Sequence, residues 1–200
     1  EYALQLVEVD YEQLPAVFDV LEAVKSDSPF VHEKHRPAKA FADLAHVKAG
    51  RQSNICYHFK LRTGDVDKAF AEADRVFEDT FSSPPAQHVP MEPHVTLVYL
   101  DEHERLNVWT SSQSPSYVRT ELSATFGIAM NRIRVRVPYI GGGYGAKLYA
   151  KLEPLVTMLA LITRKPVRYA LTREEEFLTI TKHGVVTKIK TAIKNGAITA

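Results

Sequence analysis

The chain has 200 residues and a formal net charge of +1, with 45% hydrophobic and 24% charged residues. These proportions are ordinary for a globular protein, and the near-zero charge gives no electrostatic reason to expect nucleic acid or an anionic membrane as a partner. The single cysteine, Cys56, excludes an internal disulfide and any metal site built from several cysteines of this chain, so we expect a reducing, cytoplasmic setting.

The first 58 residues show little regular patterning. Val7, Val9 and Tyr11 alternate with polar residues, which predicts a half-buried strand at the start of the chain. A short helix fits 17–24, and much of the rest up to residue 58 contains prolines, histidines and charges, as in a linker. We therefore expect this part of the chain to connect two units.

Beyond residue 53 the pattern predicts strands and helices in a mixed order. Helical spacing of apolar residues follows Asp65 and the Ser114-Pro115 pair, and Thr172 precedes a turn rich in glutamate. Because helices are mixed with antiparallel hairpins, the predicted class is α+β. Alternation predicts strands over 54–61, 75–81, 95–100, 105–110, 132–137, 166–171 and 185–193, and an apolar stripe predicts a helix over 152–162.

Both ends of the chain interrupt a pattern. The alternation of residues 2–11 begins without a lead-in, and the turn at Asn195-Gly196 is followed by only four residues of a return strand. We interpret the sequence as a piece of a longer polypeptide.

The segment Gly141–Lys147, GGGYGAK, contains four of the nine glycines. It lacks the spacing of a phosphate-binding loop, and Ala146 occupies the last glycine position of a dinucleotide-binding fingerprint. Two interpretations remain. Either the loop amides approach a bulky or anionic group near a helix start, or the glycines serve a tight turn that needs positive φ.

Two neighbouring segments carry polar side chains of uncertain purpose. His88 and His94 flank Glu92, but their spacing fits no metal-ligand pattern, so we expect a shaped loop in which Glu92 is a candidate for a buried, paired carboxylate. Further on, Ser114 is explained as a helix cap. Gln113 is not, and it could donate a hydrogen bond from the end of its strand.

Taken together and in order, these segments resemble the molybdenum-binding subunit of the xanthine dehydrogenase and aldehyde oxidase family. The resemblance rests on WTSSQSPSYVRTELSATFGI, NRIRVRV and GGGYGAK, supported upstream by GDVDKAFAEADRVFEDTF and QHVPMEPH. LVEVDYEQLPAV is similar to the end of the hammerhead domain of that family. The resemblance implies that 1–58 hold the C-terminal end of a hammerhead domain and a linker. It implies that 59–200 are the truncated N-terminal part of a molybdopterin-binding domain.

The resemblance also implies an activity. Members of the family are molybdenum hydroxylases that oxidise an aldehyde or an N-heterocycle with oxygen derived from water. They use molybdenum-molybdopterin, and FAD and 2Fe-2S clusters in partner domains or subunits carry the electrons away. The implied partners are therefore iron–sulfur and flavin subunits and a small-molecule substrate, in an oligomer without nucleic acid or membrane. The catalytic glutamate of the family lies beyond residue 200, so we expect the fragment alone to be inactive.

Specific site residues follow from the same resemblance. Gln113 matches the glutamine whose amide reaches the oxo ligand of molybdenum, and Tyr144 matches the aromatic residue whose backbone N–H does the same. Leu148 stands in the substrate pocket, where purine-oxidising members carry a glutamate. The cofactor-binding residues implied are Gln113, Gly142, Gly143, Tyr144 and Gly145.

Two positions depart from the pattern of the family, with Tyr144 in place of phenylalanine and Ala146 in place of glycine. Without the resemblance, the residues also fit a different class of protein. This alternative is a non-enzymatic binding module whose glycine-rich loop grips an anionic ligand or a peptide.

Overall fold

The computed structural model describes residues 2–32 and 53–200. The described residues contain the helices α1 (Tyr2–Gln5), α2 (Val20–Ala23), α3 (Val66–Ala71), α4 (Pro115–Phe126), α5 (Glu153–Thr163) and α6 (Arg173–Thr179). The strands are β1 (Arg75–Ser83), β2 (Val95–Leu100), β3 (Leu106–Thr110), β4 (Ile133–Arg136), β5 (Val167–Ala170), β6 (Val185–Lys194) and β7 (Ala197–Ile198). The mixture of helices with largely antiparallel strands confirms the predicted α+β class. None of the helices in the described ranges is long and apolar enough to cross a membrane.

The chain divides into two compact units. The first consists of the described parts of Glu1–Ser83 together with Gly184–Ala200, and the second is Pro84–His183. In the first unit, β1 and β6 pair antiparallel from Arg75↔Ile193 to Ser83↔Val185, and β7 continues this sheet beyond the Asn195-Gly196 turn. The long β1–β6 ladder therefore joins segments that lie about a hundred residues apart in the sequence.

The second unit is built on a four-stranded sheet in the order β4-β3-β2-β5. β2 pairs antiparallel with both β3 and β5, whereas β3 and β4 run parallel and are connected through α4. The antiparallel β2–β3 pair is closed by a tight turn in which Asp101 N–H donates to Arg105 O. The core lies between the sheet, α4 and α5 and contains Val98, Leu106, Val108, Val118, Leu122 and Val156.

Local sequence signals explain where the helices of this unit begin and end. α4 starts with Pro115 at its first position and ends at Gly127, which takes a left-handed φ of 66°. Ser114 occupies the cap position of α4, as predicted, but its side chain makes no cap hydrogen bond. At α6, Thr172 and Glu175 form a reciprocal capping box.

Two predicted strands are wrong. Residues 7–11 and 54–61 alternate in sequence, yet neither segment is part of a strand in the structure, and the chain instead opens with the short helix α1. The side chains of Val7, Val9, Tyr57 and Phe59 are exposed. Alternation predicts a strand only where one face is covered, and within the described residues nothing covers these faces.

The predicted stripe of the helix over 152–162 is correct only in part. Leu152 and Val156 are buried as expected, but Leu155, Leu159 and Ile162 are exposed. The face of α5 that meets the sheet instead buries Glu153, Thr157 and Ala160. A helix in which nearly every position is apolar does not reveal from its sequence which side packs inward.

Candidate functional site

The glycine-rich segment forms a loop between β4 and α5 with an unusual backbone. Gly142, Tyr144 and Gly145 have positive φ values of 92°, 54° and 95°, with Gly143 between them outside that region. The amides of Gly142, Gly143 and Tyr144 donate no hydrogen bond to any residue that the structure describes. Successive N–H groups in a backbone of alternating hand form a concave arrangement, or nest, that suits an anion. Both sequence interpretations of the glycines are therefore compatible with this loop.

Gln113 lies at the end of β3 and reaches into this loop. Its side-chain Oε1 accepts hydrogen bonds from the amides of Gly145 at 3.1 Å and Lys147 at 3.2 Å. The backbone N–H of Gln113 donates to Lys147 O at 2.8 Å. Both bonds to the side chain use Oε1, and the Nε2 hydrogens have no partner among the described residues.

Steric contact explains two of the glycines. A Cβ added to Gly143 would lie 2.5 Å from Cδ and Oε1 of Gln113, and one added to Gly141 would lie 2.5 Å from Glu92 Cβ. Real Cβ atoms do not approach other atoms this closely, so both positions require glycine or a displaced neighbour. The absence of a side chain at Gly143 leaves space for Gln113, and its absence at Gly141 leaves space for Glu92.

Glu92 and Lys147 form an ion pair beneath the loop. Lys147 Nζ donates to Glu92 Oε2 at 2.8 Å, and the same oxygen accepts the amide of Gly141 at 2.9 Å. The side chain of Lys147 is 0% exposed and that of Glu92 is 31% exposed. Burial alone would raise the pKa of Glu92, but the hydrogen bonds from Lys147 and Gly141 outweigh it and hold this pKa below its usual value.

A second polar cluster holds the loop at Ala146. His94 Nδ1 lies 2.7 Å from Glu176 Oε1, and the His94 amide donates to Glu176 Oε2 at 2.8 Å. The other ring nitrogen, Nε2, lies 3.1 Å from Ala146 O. Lys151 Nζ also donates to Ala146 O and lies 3.2 Å from His94 Nε2. The Ala146 carbonyl is therefore contacted by His94, from an early part of the second unit, and by Lys151, which lies only five residues further along the chain.

The carboxylates of Glu176 and Glu153 and the ammonium group of Lys151 affect one another's charge state. Burial would raise the pKa of Glu176, but hydrogen bonds from the His94 side chain and backbone, together with the charges nearby, lower it overall. Burial lowers the pKa of Lys151, a shift that Glu176 and Glu153 oppose. Glu153 itself accepts hydrogen bonds from Thr110 Oγ1 at 2.7 Å and from the Lys151 amide at 2.8 Å. Glu176, Lys151 and Glu153 are thus paired, in contrast to the amides of Gly142, Gly143 and Tyr144 on the loop itself.

Three further side chains border the loop. His88 has a buried Nδ1 atom without a hydrogen-bond partner within residues 2–32 and 53–200, and its Nε2 lies 3.9 Å from the position of a Cβ on Gly145. The Tyr144 side chain is 72% exposed, with its ring folded back near Gly142. Leu148, which follows the loop, is 43% exposed.

The structure brings together most of the residues singled out from the sequence. Gln113 lies against the loop that contains Gly142, Gly143, Tyr144 and Gly145 and accepts a hydrogen bond from the Gly145 amide. The pairing suggested for Glu92 is present, although its carboxylate is only partly buried. The two histidines do not meet at a metal site, and the described residues contain no group of three side chains suited to a metal ion.

Sequence reasoning missed the partners on the inner side of the loop. The pairing of the Lys147 side chain at the end of the loop was not expected, and neither were the contacts of Lys151 and Glu176 below it. Each of these residues lies on a segment whose pattern predicts only a helix start or a loop end. One signal was available. Three charged residues occur at positions where neighbouring apolar residues indicate burial, and buried charges need partners.

The chain is similar in sequence to known proteins. Residues 47–200 match the model of the family described as "Molybdopterin cofactor-binding domain". Among curated proteins, the probable hypoxanthine oxidase XdhD of Escherichia coli (strain K12) is 32% identical over 219 residues, which cover 99% of this chain and 23% of the relative. The nicotinate dehydrogenase large molybdopterin subunit of Eubacterium barkeri is 31% identical over 200 residues, covering 99% of this chain and 43% of that protein.

Solved structures show the same similarity. Quinoline 2-oxidoreductase from Pseudomonas putida 86 superposes with a TM-score of 0.74 at 28% identity and covers 96% of this chain and 23% of that chain. Reconstituted CO dehydrogenase from Oligotropha carboxidovorans gives a TM-score of 0.79 at 27% identity, covering 96% of this chain and 24% of that chain. The chain thus spans less than half the length of each of these relatives.

Proposed function

The chain belongs to the molybdopterin cofactor-binding domain family, and from this premise we propose that Gln113 and the loop Gly141–Lys147 form one side of the cofactor site of a molybdenum hydroxylase. Residues 59–200 are then the N-terminal part of the molybdopterin-binding domain, and 1–58 are the end of a hammerhead domain with its linker.

One observation carries the proposal. The amides of Gly142, Gly143 and Tyr144, like the Nε2 group of Gln113, have no acceptor among the residues that the structure describes, while Glu92, Lys147 and Lys151 beneath them are paired. An array of hydrogen-bond donors with no protein acceptor fits a ligand that offers acceptor oxygens or negative charge. A molybdenum-molybdopterin group has both, so the residues present fit it.

Each residue has a defined part in this proposal. When bound, the molybdenum-molybdopterin group supplies the two-electron chemistry that oxidises a carbon atom of the substrate with oxygen derived from water. Gln113 Nε2 and the Tyr144 N–H would donate hydrogen bonds to an oxygen of this group, and Gly142, Gly143 and Gly145 would let the backbone approach it. Since both donors are fixed before the reaction, they do not have to reorganise as charge develops.

The substrate class follows from the relatives together with Leu148. The relatives are described as acting on hypoxanthine, nicotinate, quinoline and carbon monoxide. We propose an aldehyde or an N-heterocycle as the substrate here, with Leu148 as an apolar part of its pocket. Iron–sulfur and flavin domains or subunits with 2Fe-2S clusters and FAD then accept the electrons, in a cytoplasmic oligomer.

Analysis of the full-length gene product for metal and pterin tests the proposal. We expect molybdenum and an oxidised pterin derivative in a near-stoichiometric ratio, and oxidation of aldehydes or N-heterocycles in the presence of an artificial electron acceptor. A nest can also bind a simple anion without redox chemistry. A protein free of molybdenum after expression in a host that synthesises the cofactor would contradict the hydroxylase and favour the binding module.

The 200-residue chain gives a second result. Because the catalytic glutamate and most cofactor contacts of the family lie outside it, we expect the chain alone to retain little cofactor and to be inactive. Stoichiometric molybdenum on this chain after gel filtration would show that expectation to be wrong.

A further inference from the structure

The ion pair beneath the loop connects Glu92 with both ends of the loop, Gly141 and Lys147. Glu92 Oε2 accepts both Lys147 Nζ and the amide of Gly141, so one carboxylate oxygen ties the first residue of the loop to the last. The Glu92 amide adds a bond of 3.0 Å to Gly141 O. The ends of the loop are therefore closed by a side chain from a distant part of the sequence.

Lys147 links this closure to Gln113. Its amide donates to Gln113 Oε1 at 3.2 Å, and its carbonyl accepts the Gln113 amide at 2.8 Å. Any shift of Lys147 consequently moves the side-chain amide of Gln113, because the carboxamide is planar and Oε1 and Nε2 turn together. The position and the orientation of the Gln113 Nε2 group therefore depend on the position of Lys147.

Burial makes the charge of Lys147 indispensable to this arrangement. Its side chain is 0% exposed, so its ammonium group requires a hydrogen-bonded counter-charge. Glu92 supplies it without using any of the amides of Gly142, Gly143 and Tyr144. The loop is thereby fixed from below while its three donors stay available above.

We propose that Glu92 and Lys147 are positioning residues, which set the three unpaired loop amides and the Gln113 Nε2 group in one ligand-binding arrangement. This inference rests on the proposed function of the loop. It adds that the loop geometry is maintained by a buried charge pair, not by the glycines alone.

The test measures the loop itself and needs no cofactor. Amide hydrogen exchange and side-chain NH₂ resonances are recorded by NMR on the ¹⁵N-labelled 200-residue chain. Lys147→Met removes the charge while keeping a long apolar side chain, and Lys165→Met removes an exposed lysine of the same unit as the matched control. Exchange at Gly141, Gly145 and Lys147 is compared with exchange at the core residues Val98 and Val108.

In Lys147→Met we expect the loop amides to exchange at least about tenfold faster than in the control, because a charge-assisted bond and the closure it maintains are lost. The Nε2 resonances of Gln113 should shift, and exchange at Val98 and Val108 should change much less. Equal acceleration at all of these amides would mean general destabilisation and would overturn the proposal. So would loop exchange and Gln113 resonances that match the control.

Two further variants keep the test informative if Lys147→Met folds poorly. Glu92→Gln retains an acceptor for Gly141 but loses the charge, so exchange should rise at Lys147 and Gly145 more than at Gly141. Exchanging the pair, Glu92→Lys with Lys147→Glu, should restore the melting temperature more than it restores protection of Gly141, whose N–H would then face an ammonium group. Failure of the full-length protein to bind molybdopterin would refute the proposed function but leave these exchange results unaffected.

Discussion

Gly143 lies so close to Gln113 that a side chain on the glycine would occupy the place of the glutamine carboxamide. An added Cβ would lie 2.5 Å from Cδ and Oε1 and 2.9 Å from Cγ of Gln113. The first prediction follows from this contact. Gly143→Ala should displace the Gln113 side chain, cost its two hydrogen bonds to the loop, and lower the free energy of unfolding by about 1–2 kcal/mol.

A double-mutant cycle isolates that contact. In a Gln113→Ala background, Gly143→Ala should cost less than it does alone, because the displaced group is already absent. Urea denaturation of the four proteins gives the coupling energy. Additive effects would show that the alanine methyl group is accommodated by some other movement.

The second prediction concerns the rate of the full-length gene product and rests on the proposed function. Gln113→Ala should slow reduction by substrate on the order of 10²-fold, by analogy with the loss of one preorganised donor in other enzymes. Gln87→Ala is the matched control, since Gln87 Nε2 donates to the backbone carbonyls of Glu176 and Phe177. It should lower the melting temperature and leave the rate nearly normal. Rates are compared at equal molybdenum content, and a normal rate for Gln113→Ala would contradict the assignment.

The third prediction is a dependence of stability on pH through Glu176. The folded-state pKa of Glu176 lies below the ordinary value of 4.5 because hydrogen bonds from His94 outweigh the opposing effect of burial. Below about pH 4.5 the unfolded chain therefore binds more protons than the folded chain, so the free energy of unfolding decreases as the pH falls further. Above that range the contribution of Glu176 is fully present and constant.

Substitution separates Glu176 from the other carboxylates. Glu176→Gln should be less stable at pH 7 and lose less additional stability on acidification, whereas the exposed Glu174→Gln should keep the wild-type slope. Glu92, Asp101 and Glu175 also have lowered pKa values, so some acid sensitivity should remain. Chemical denaturation between pH 7 and 3 measures these slopes, and identical slopes for both variants would contradict this account.

The fourth prediction uses an unpaired hydroxyl group in the core. Thr157 is 0% exposed, and its Oγ1 has no hydrogen-bond partner in the part of the chain that the structure describes. Thr157→Val keeps the shape and removes the unsatisfied group, so it should stabilise the protein by about 1 kcal/mol. Thr96→Val is the opposite case, because Thr96 Oγ1 lies 3.0 Å from Thr110 Oγ1, and it should be destabilising. A melting temperature that falls in Thr157→Val as well as in Thr96→Val would contradict the absence of a hydrogen-bond partner for the Thr157 hydroxyl.

The fifth prediction concerns the capping box of α6, the helix that carries Glu176. Thr172 Oγ1 accepts the Glu175 amide at 3.1 Å, and Glu175 Oε2 accepts the Thr172 amide at 2.7 Å. Thr172→Ala should cost about 1 kcal/mol. Thr120→Ala, which removes only a bond to Ser116 O within α4, should be nearly neutral. Thermal unfolding of both variants decides between a stabilising cap and a dispensable one.

The parts of the fold that could be predicted are those in which one face of an element is covered. β2 follows its alternation, with Thr96 and Val98 buried, because α4 and α5 cover one side of the sheet, whereas four of the five residues of β3 are buried. The same pattern in Val7 and Val9, or in Tyr57 and Phe59, gave no strand. A single sequence does not indicate whether a covering layer or a partner strand exists.

For the site, the glycines and Gln113 could be selected because their residue types are unusual for their positions. The contacts of Lys147, Lys151 and Glu176 could not, since each depends on pairing across the fold. His94 and Glu176, for example, are 82 residues apart in the sequence. The functional roles assigned to Gln113, Tyr144 and Leu148 stay predictions, and so does the boundary between 1–58 and 59–200.

The bonds that hold the loop also determine when it can form during folding. The loop is tied to Glu92 across 49 residues and to Gln113 across 32, and the histidine beneath it is tied to Glu176 across 82. Each of these contacts closes a long stretch of chain and so carries the entropic cost of loop closure before its hydrogen bonds form. We therefore expect the site to be among the last features of the second unit to become ordered, after the β2–β3 hairpin and α4. A refolding chain would therefore acquire most of its secondary structure before it could bind any ligand at this loop.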